Sequence, residues 1–315
     1  MAWVFDLDRV ADLLRLQDGV VTRRQLLECG AQLHDLQRLI RRRELRRIHA
    51  GVYVDHTGPL TPRQREWAAV LTAWPAALAG VSALPRAVPG QVHIAVARAR
   101  TVRLQPGVVV HRTTDLQQRV LWNRAPPRLR IEHALIDVMS EQIRHGNVAE
   151  AFAVLTEVAR SKQTTADRIL AALEERRRVP GRTLITGMLT DLRDGVCSVL
   201  ERGYRHKVER AHGLPRGSRQ HPSSALGTLT HQDVRYPRYS LVVELDGHGF
   251  HADAGARDHD AARDLAELAT SGSPTARVTC GLVFTTPCRT AGWIAQILQC
   301  RGWTGTLHAC PRCGA

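Results

Sequence analysis

The sequence holds almost no lysine. Lys162 and Lys207 are the only two, so nearly all of its 44 Lys+Arg positions are arginine. It also lacks any run of about 18 uninterrupted apolar residues, which excludes a membrane-spanning helix and a membrane partner of that kind. The opening Met1-Ala2-Trp3-Val4-Phe5-Asp6-Leu7-Asp8 has no basic n-region and no small-residue cleavage site, so no secretory signal is expected. Cysteine is sparse and odd in number, seven in 315 residues. That disfavours a disulfide framework and points to a reducing cytoplasm.

Hydrophobic residues make up 43 % of the chain, enough for packed cores and too much for wholesale disorder. The length suits two domains with a connecting layer. A net charge of +14 and a pI near 10.6 favour a polyanionic partner, with DNA or another nucleic acid first. The Ala, Arg, Gly and Val bias would also follow from a GC-rich coding sequence, so charge alone decides little. The expected class is α/β (α+β): a winged helix-turn-helix over 1–58, an α/β connecting region over 59–195, an α/β sandwich over 196–306 and a tail over 307–315.

In the first region, Val10, Leu13, Leu14 and Leu16 form the apolar stripe of a helix ended by Gln17-Asp18-Gly19. Thr22 is placed to N-cap a second helix that Gly30 stops, and a third runs from about Gln32 with Leu33, Leu36, Leu39 and Ile40. Leu45, Ile48, Val52 and Val54, broken by Gly51, predict two short strands. Arg38, Arg41, Arg42, Arg43, Arg46 and Arg47 fall on the end of the third helix and the entry to the wing. In winged helices that helix reads the major groove while the wing holds phosphates. The competing reading is a solvated basic face. The runs Val20-Val21-Thr22-Arg23-Arg24-Gln25-Leu26 and Leu45-Arg46-Arg47-Ile48-His49-Ala50-Gly51-Val52-Tyr53 resemble the N-terminal domain of AbiEi-type antitoxins. The resemblance covers the first fifth of the chain and implies binding to DNA or to a protein partner, with no chemistry.

The middle region predicts helices over 63–79, 131–140, 149–159 and 166–177, and strands over 92–96 and 107–111. Arg124-Ala125-Pro126-Pro127-Arg128 reads as a linker, and His93, His111 and His133 as structural residues.

From Cys197 onward the predicted order is a helix over 198–212, strands over 227–235 and 240–247, and a helix over 256–269. Edge pieces at 277–279 and 282–284 and a helix over 290–301 complete it. Glu244 and Asp246 are two apart on a strand and leave it on one face, with Leu245 on the other. Asp233, expected at the end of the partner strand, can face them across the ladder, and Glu201 lies on the preceding helix. Crowded carboxylates repel, and a hard cation bound through oxygen, Mg²⁺ or Mn²⁺, resolves the repulsion. Such a cation serves phosphodiester hydrolysis. For Asp246 alone, an ordinary Asp-Gly turn explains the residue equally well.

The run Gly227-Thr228-Leu229 … Asp233-Val234-Arg235-Tyr236-Pro237 … Leu241-Val242-Val243-Glu244-Leu245-Asp246-Gly247-His248-Gly249-Phe250-His251 resembles the Vsr-like endonuclease domains of the PD-(D/E)XK nuclease superfamily. Arg257-Asp258, Arg263-Asp264, Pro287-Cys288-Arg289-Thr290 and Arg301-Gly302-Trp303 extend the match over about the last third of the chain. The resemblance implies a restriction-endonuclease-like fold, a divalent metal and hydrolysis of DNA. Carried over, Asp233 and Glu244 are metal ligands and Glu201 takes the helix-borne acidic position. Asp246 stands where the superfamily's lysine would be. His251, or else His248, is then the candidate base, and Arg257 or Arg263 the source of transition-state charge.

Cys310-Pro311-Arg312-Cys313 has the spacing of half a zinc site. His308 and Cys300 are the nearest further ligands, with Cys288 behind them; Cys29, Cys197 and Cys280 read as small buried residues. The rival to an enzyme is an antitoxin-like regulator with a degenerate nuclease domain, for which a toxin replaces a repair protein as the expected partner.

Overall fold

The structure is a computed structural model that describes residues 5–85, 90–194, 198–225, 227, 229–246, 254–311 and 313. Of Ser198 and residues 254–257 only the backbone is described. The chain divides into two compact units, Met1–Val138 and Met139–Ala315. Among the described residues, helices alternate with three sheets, and the class is mixed α/β (α+β).

The first unit begins with α1 (Leu7–Leu16), capped by the Asp6 carboxylate on the Arg9 N–H at 2.9 Å. After β1 (Val20–Thr22), Thr22 and Gln25 form a reciprocal capping box that starts α2 (Arg23–Glu28). Then come α3 (Leu33–Arg41), β2 (Arg46–His49) and β3 (Val52–Val54). These strands form an antiparallel sheet of order β1-β3-β2. Three helices and a hairpin are as expected; β1 is an addition. Val20 and Val21 are fully buried, so the segment that connects α1 to α2 completes the sheet. Gly19, with φ +82°, makes the turn into it, and a Cβ there would meet Asp55 Oδ1 at 2.3 Å. Val10, Leu26, Leu36, Leu45 and Tyr53 form the core between helices and sheet.

The helix expected over 63–79 is α4 (Pro62–Thr72), capped by Thr61. It stops early because Pro75 cannot continue it. Ala77 and Leu78 instead become β4 (Ala77–Leu78). Then follow β5 (Val92–Ala97), β6 (Val108–Thr113), α5 (Leu116–Arg119), β7 (Val120–Leu121) and β8 (Arg128–Leu129). The sheet order is β6-β5-β4-β8-β7. His93 Nδ1 and His111 Nε2 are 2.9 Å apart on the paired strands β5 and β6, a mutual contact that accounts for both rings. The unit boundary falls inside α6 (Ile131–Arg144), so the middle region 59–195 is divided between the two units.

The second unit continues with α7 (Val148–Arg160), α8 (Ala166–Glu174) and α9 (Arg182–Asp194), the last absent from the sequence reading. α10 (Ser198–Gly203) runs into a π-helical stretch, Tyr204–Arg210. Then come β9 (Ser218–Ser223), β10 (Thr230–Tyr236), β11 (Leu241–Asp246) and α11 (Ala254–Ser271). The chain ends with β12 (Thr275–Thr279), α12 (Cys280–Phe284) and α13 (Pro287–Cys300). The sheet order is β12-β11-β10-β9, antiparallel except for the parallel pair β11–β12 that α11 connects.

Two expectations are corrected here. Residues 282–284 are helical, because pairing to β11 ends at Thr279 and the Thr279 hydroxyl then caps the Leu282 N–H at 3.4 Å. Asp233 lies within β10 and not at its end, because β9 extends the pairing on the other side. β9 is too polar, Ser218-Arg219-Gln220-His221-Pro222-Ser223, to show an apolar alternation. The core takes Leu200, Tyr204 and Val208 from the helical segment and Val234, Tyr236, Leu241, Val243 and Leu245 from the hairpin. Ile294 and Leu298 of α13 close it.

Candidate active site

Strand alternation separates core from chemistry. With Leu241, Val243 and Leu245 inward, Glu244 and Asp246 take the opposite face. The β10–β11 register pairs Val234 with Val243, and its continuation sets Asp233 opposite Glu244. The Leu245 N–H donates to Asp233 Oδ2 at 2.8 Å and ties that carboxylate to the edge of β11. Glu244 is 8 % exposed. Burial, then the charge of Asp233, push its carboxyl up to about 7, with Arg263 opposing them. Burial also raises Asp233, against the Leu245 hydrogen bond.

Glu201 reaches the same neighbourhood from α10. Gln220 Nε2 donates to Glu201 Oε1 at 2.8 Å, and the same side chain acts to lower Asp233. Gln220 adopts a left-handed φ of +48° inside β9. A non-glycine residue held there is strained, and such strain gathers at functional sites. Burial raises Glu201 above the ordinary carboxylate value, and Asp233 adds to that. Sequence reasoning missed Gln220 because the polar strand carrying it was unrecognised.

Cations meet this face from two elements. Arg263 of α11 approaches Glu244 at 3.5 Å and Asp260 at 3.6 Å. Arg277, opposite Glu244 in the parallel β11–β12 register, pairs with Asp264 at 2.8 Å and Asp260 at 3.4 Å. Further along, Arg235 and Glu267 pair at 2.5 Å, and Ser223, Ser271 and Arg235 all donate to Glu267. Arg263 and Asp264 of α11 thus each reach the sheet, at Glu244 and Arg277. His248 and His251 lie outside the described residues, as does the side chain of Arg257.

Asp233 and Glu244 offer carboxylate oxygens of the kind a hard divalent cation takes, and burial presses both toward the neutral form. Among the described residues, however, the group of three or more potential ligands at metal-binding spacing is elsewhere. It comprises His212, Cys288, Cys310 and Cys313. The structure therefore joins Cys310 and Cys313 to Cys288 and to His212, which the sequence reading did not consider, in place of Cys300 and His308.

In the first unit, Arg38, Arg41, Arg42, Arg43 and Arg47 are exposed around the end of α3 and the start of β2, while Arg46 is half-buried. Arg38 pairs with Asp35 at 3.1 Å and Arg42 with Glu44 at 3.9 Å. Arg41 and Arg43 have no acidic partner among the described residues. Arg46 donates to the carbonyls of His56 and Gly58, at 3.3 and 2.7 Å, and so braces the wing.

No family model matches the chain, and no curated protein does. Among solved structures, the chain is similar to the crystal structure of the RV2827C protein from Mycobacterium tuberculosis. Identity is 20 % over 58 % of this chain and 76 % of that chain, with a TM-score of 0.35.

Proposed function

We propose that the chain is a cytoplasmic DNA-binding protein whose second unit is a metal-dependent endonuclease of the Vsr-like, PD-(D/E)XK type. The observation that carries this reading is the pair Asp233 and Glu244, opposed across β10 and β11 on the face away from the core, with Glu244 raised to about 7. A buried acid facing a half-buried one calls for a cation. Asp233 and Glu244 would hold Mg²⁺ or Mn²⁺, which when bound polarises a phosphodiester oxygen and lowers the pKa of a coordinated water. Gln220 orients Glu201 through its amide, the Leu245 N–H holds Asp233, and Asp246 extends the acidic face at the end of β11. Arg263, beside Glu244, supplies positive charge where the scissile phosphate becomes more negative. His251 is the candidate base. The exposed arginines at the end of α3 and on β2 would hold the DNA backbone.

The test is incubation of supercoiled, linear and mismatched DNA with the wild-type chain, Glu244→Gln and Asp233→Asn, with Mg²⁺, Mn²⁺ or chelator. The expected result is metal-dependent nicking by the wild type alone. A wild-type chain that cuts none of these DNA forms, and binds neither ion in calorimetry, overturns the assignment.

A second reading is favoured by the 3.5 Å contact of Arg263 with Glu244. An arginine already in the cation's place suits a nuclease-like domain without chemistry, as does Asp246 at the position of the superfamily's lysine. The chain would then be an antitoxin-like regulator, with a toxin as its protein partner. Under this reading Glu244→Gln destabilises the fold, and there is no cleavage to lose.

A further inference from the structure

The C-terminal tail returns to the end of the π-helical segment. The His308 N–H donates to the His212 carbonyl at 2.9 Å, and beyond it Cys310 and Cys313 turn back on themselves. The Cys313 N–H donates to the Cys310 carbonyl at 2.9 Å, and the Cys310 N–H to Cys313 Sγ at 3.3 Å. This hairpin brings its two sulfurs to 3.8 Å from one another, and Cys310 Sγ to 3.5 Å from Sγ of Cys288 in the first turn of α13. His212 completes the group. The one ligand atom that each of the four residues offers lies within 4.8 Å of all the others.

The imidazole of His212 carries an independent signal. It is wholly buried, and its Nδ1 lies 3.1 Å from the carbonyl oxygen of Val208. A carbonyl can only accept, so Nδ1 bears the proton and Nε2 presents a lone pair. That Nε2 has no hydrogen-bond partner among the described residues. A buried acceptor without a donor is costly, and it faces three sulfurs whose thiols are weak donors. An imidazole fixed by a backbone carbonyl through one nitrogen, with the other free, is the usual state of a metal-ligating histidine.

From these observations we infer that His212 Nε2 and the sulfurs of Cys288, Cys310 and Cys313 form a closed structural Zn²⁺ site that fastens the tail to the second unit. The ligand chemistry selects the ion: three thiolates and one imidazole suit zinc, and hard cations such as Mg²⁺ want oxygen. The spacing agrees. A tetrahedron with Zn–S bonds of about 2.3 Å has S···S edges of about 3.8 Å. A disulfide would need its sulfurs at about 2.05 Å and would leave the third cysteine and the histidine idle. Four protein ligands leave no open position for water or substrate, so the site's work is mechanical. It joins the helix end that carries His212, the start of α13 and the last residues of the chain. This inference stands apart from the nuclease reading, because none of its residues belongs to the acidic face.

The experiment is metal analysis of the full-length chain, purified under reducing conditions without added chelator. About one zinc per chain is expected, and replacement by Co²⁺ should give the visible bands of tetrahedral thiolate coordination. Stripping the metal should lower the melting temperature, and adding Zn²⁺ should restore it. Cys288→Ser, Cys313→Ser and His212→Gln should each lose zinc or alter the Co²⁺ spectrum, whereas Cys300→Ser should change neither. Should a ligand variant fail to fold, the zinc content and Co²⁺ spectrum of the wild type still decide. A metal-free wild-type chain that takes up neither ion overturns the site. So does a Cys288→Ser chain with undiminished zinc, or a Cys288–Cys310 disulfide in the reduced preparation.

Discussion

Asp233 Oδ2 accepts the backbone N–H of Leu245 at 2.8 Å, so an acid on β10 is fastened to the strand that presents Glu244. The hydrogen bond favours the ionised form of Asp233. That charge, after burial itself, is what makes ionisation of Glu244 difficult. The two acids thus divide the work. One is held in place by the backbone, and the other is poised to gain from a cation or a proton.

Glu244 sets a pH dependence of known sign. Its folded-state value of about 7 lies above the ordinary 4.5, so the folded chain binds the extra proton. Stability of the metal-free protein should therefore fall as pH rises from 4.5 to 7, by on the order of 3 kcal/mol. Glu244→Gln should flatten this slope and leave DNA affinity through the first unit unchanged. Denaturant titrations at several pH values, in chelator, check it. A slope identical in wild type and variant would show that Glu244 ionises freely.

Glu267 should behave in the opposite way. Burial acts to raise its value, but hydrogen bonds from Ser271, Arg235 and Ser223 outweigh burial and hold it at about 2. A lowered folded-state value means stability present above 4.5 and lost as pH falls through 2. Glu267→Gln should cost about 3 kcal/mol at neutral pH, because Arg235 is then left without its counter-charge. The readout is the shift in urea midpoint of the second unit's transition.

Tyr236 donates to Glu209 at 2.6 Å, and Glu209, only 3 % exposed, also accepts from Arg219 at 2.6 Å. Tyr236→Phe removes one donor from a buried acid while preserving the ring. A loss of about 1–3 kcal/mol is expected, measurable by thermal unfolding.

The arginines of the first unit divide into two kinds. Replacing Arg41, Arg42, Arg43 or Arg47 by Ala should each lower the salt slope of DNA affinity by about one unit. Arg46→Ala should instead lower the melting temperature, because its guanidinium is engaged with the carbonyls of His56 and Gly58. Fluorescence anisotropy at graded salt tests both statements. A slope unchanged across all four surface variants would remove this face from DNA binding.

What the sequence determined by itself is what depends on neighbours in the chain. The helical spacing of Val10, Leu13 and Leu14 and the shared face of Glu244 and Asp246 rest on periods of 3.6 or 2 residues, and the Thr22 cap on a partner three residues along the chain. These hold whatever the rest of the chain does. Tertiary structure decided what depends on pairing between distant segments. β9 became a strand because β10 offered it an edge, and this brought Gln220 to Asp233. Arg277 reached the acidic face through a parallel register that no local pattern encodes. The clearest instance is the tail. Cys300 is near Cys310 in sequence, but it lies at the far end of α13 from Cys288, about 18 Å away at 1.5 Å per residue. A helix is rigid over that length, so the end that meets the tail decides which cysteine joins it, and packing of the core delivered Cys288 and His212.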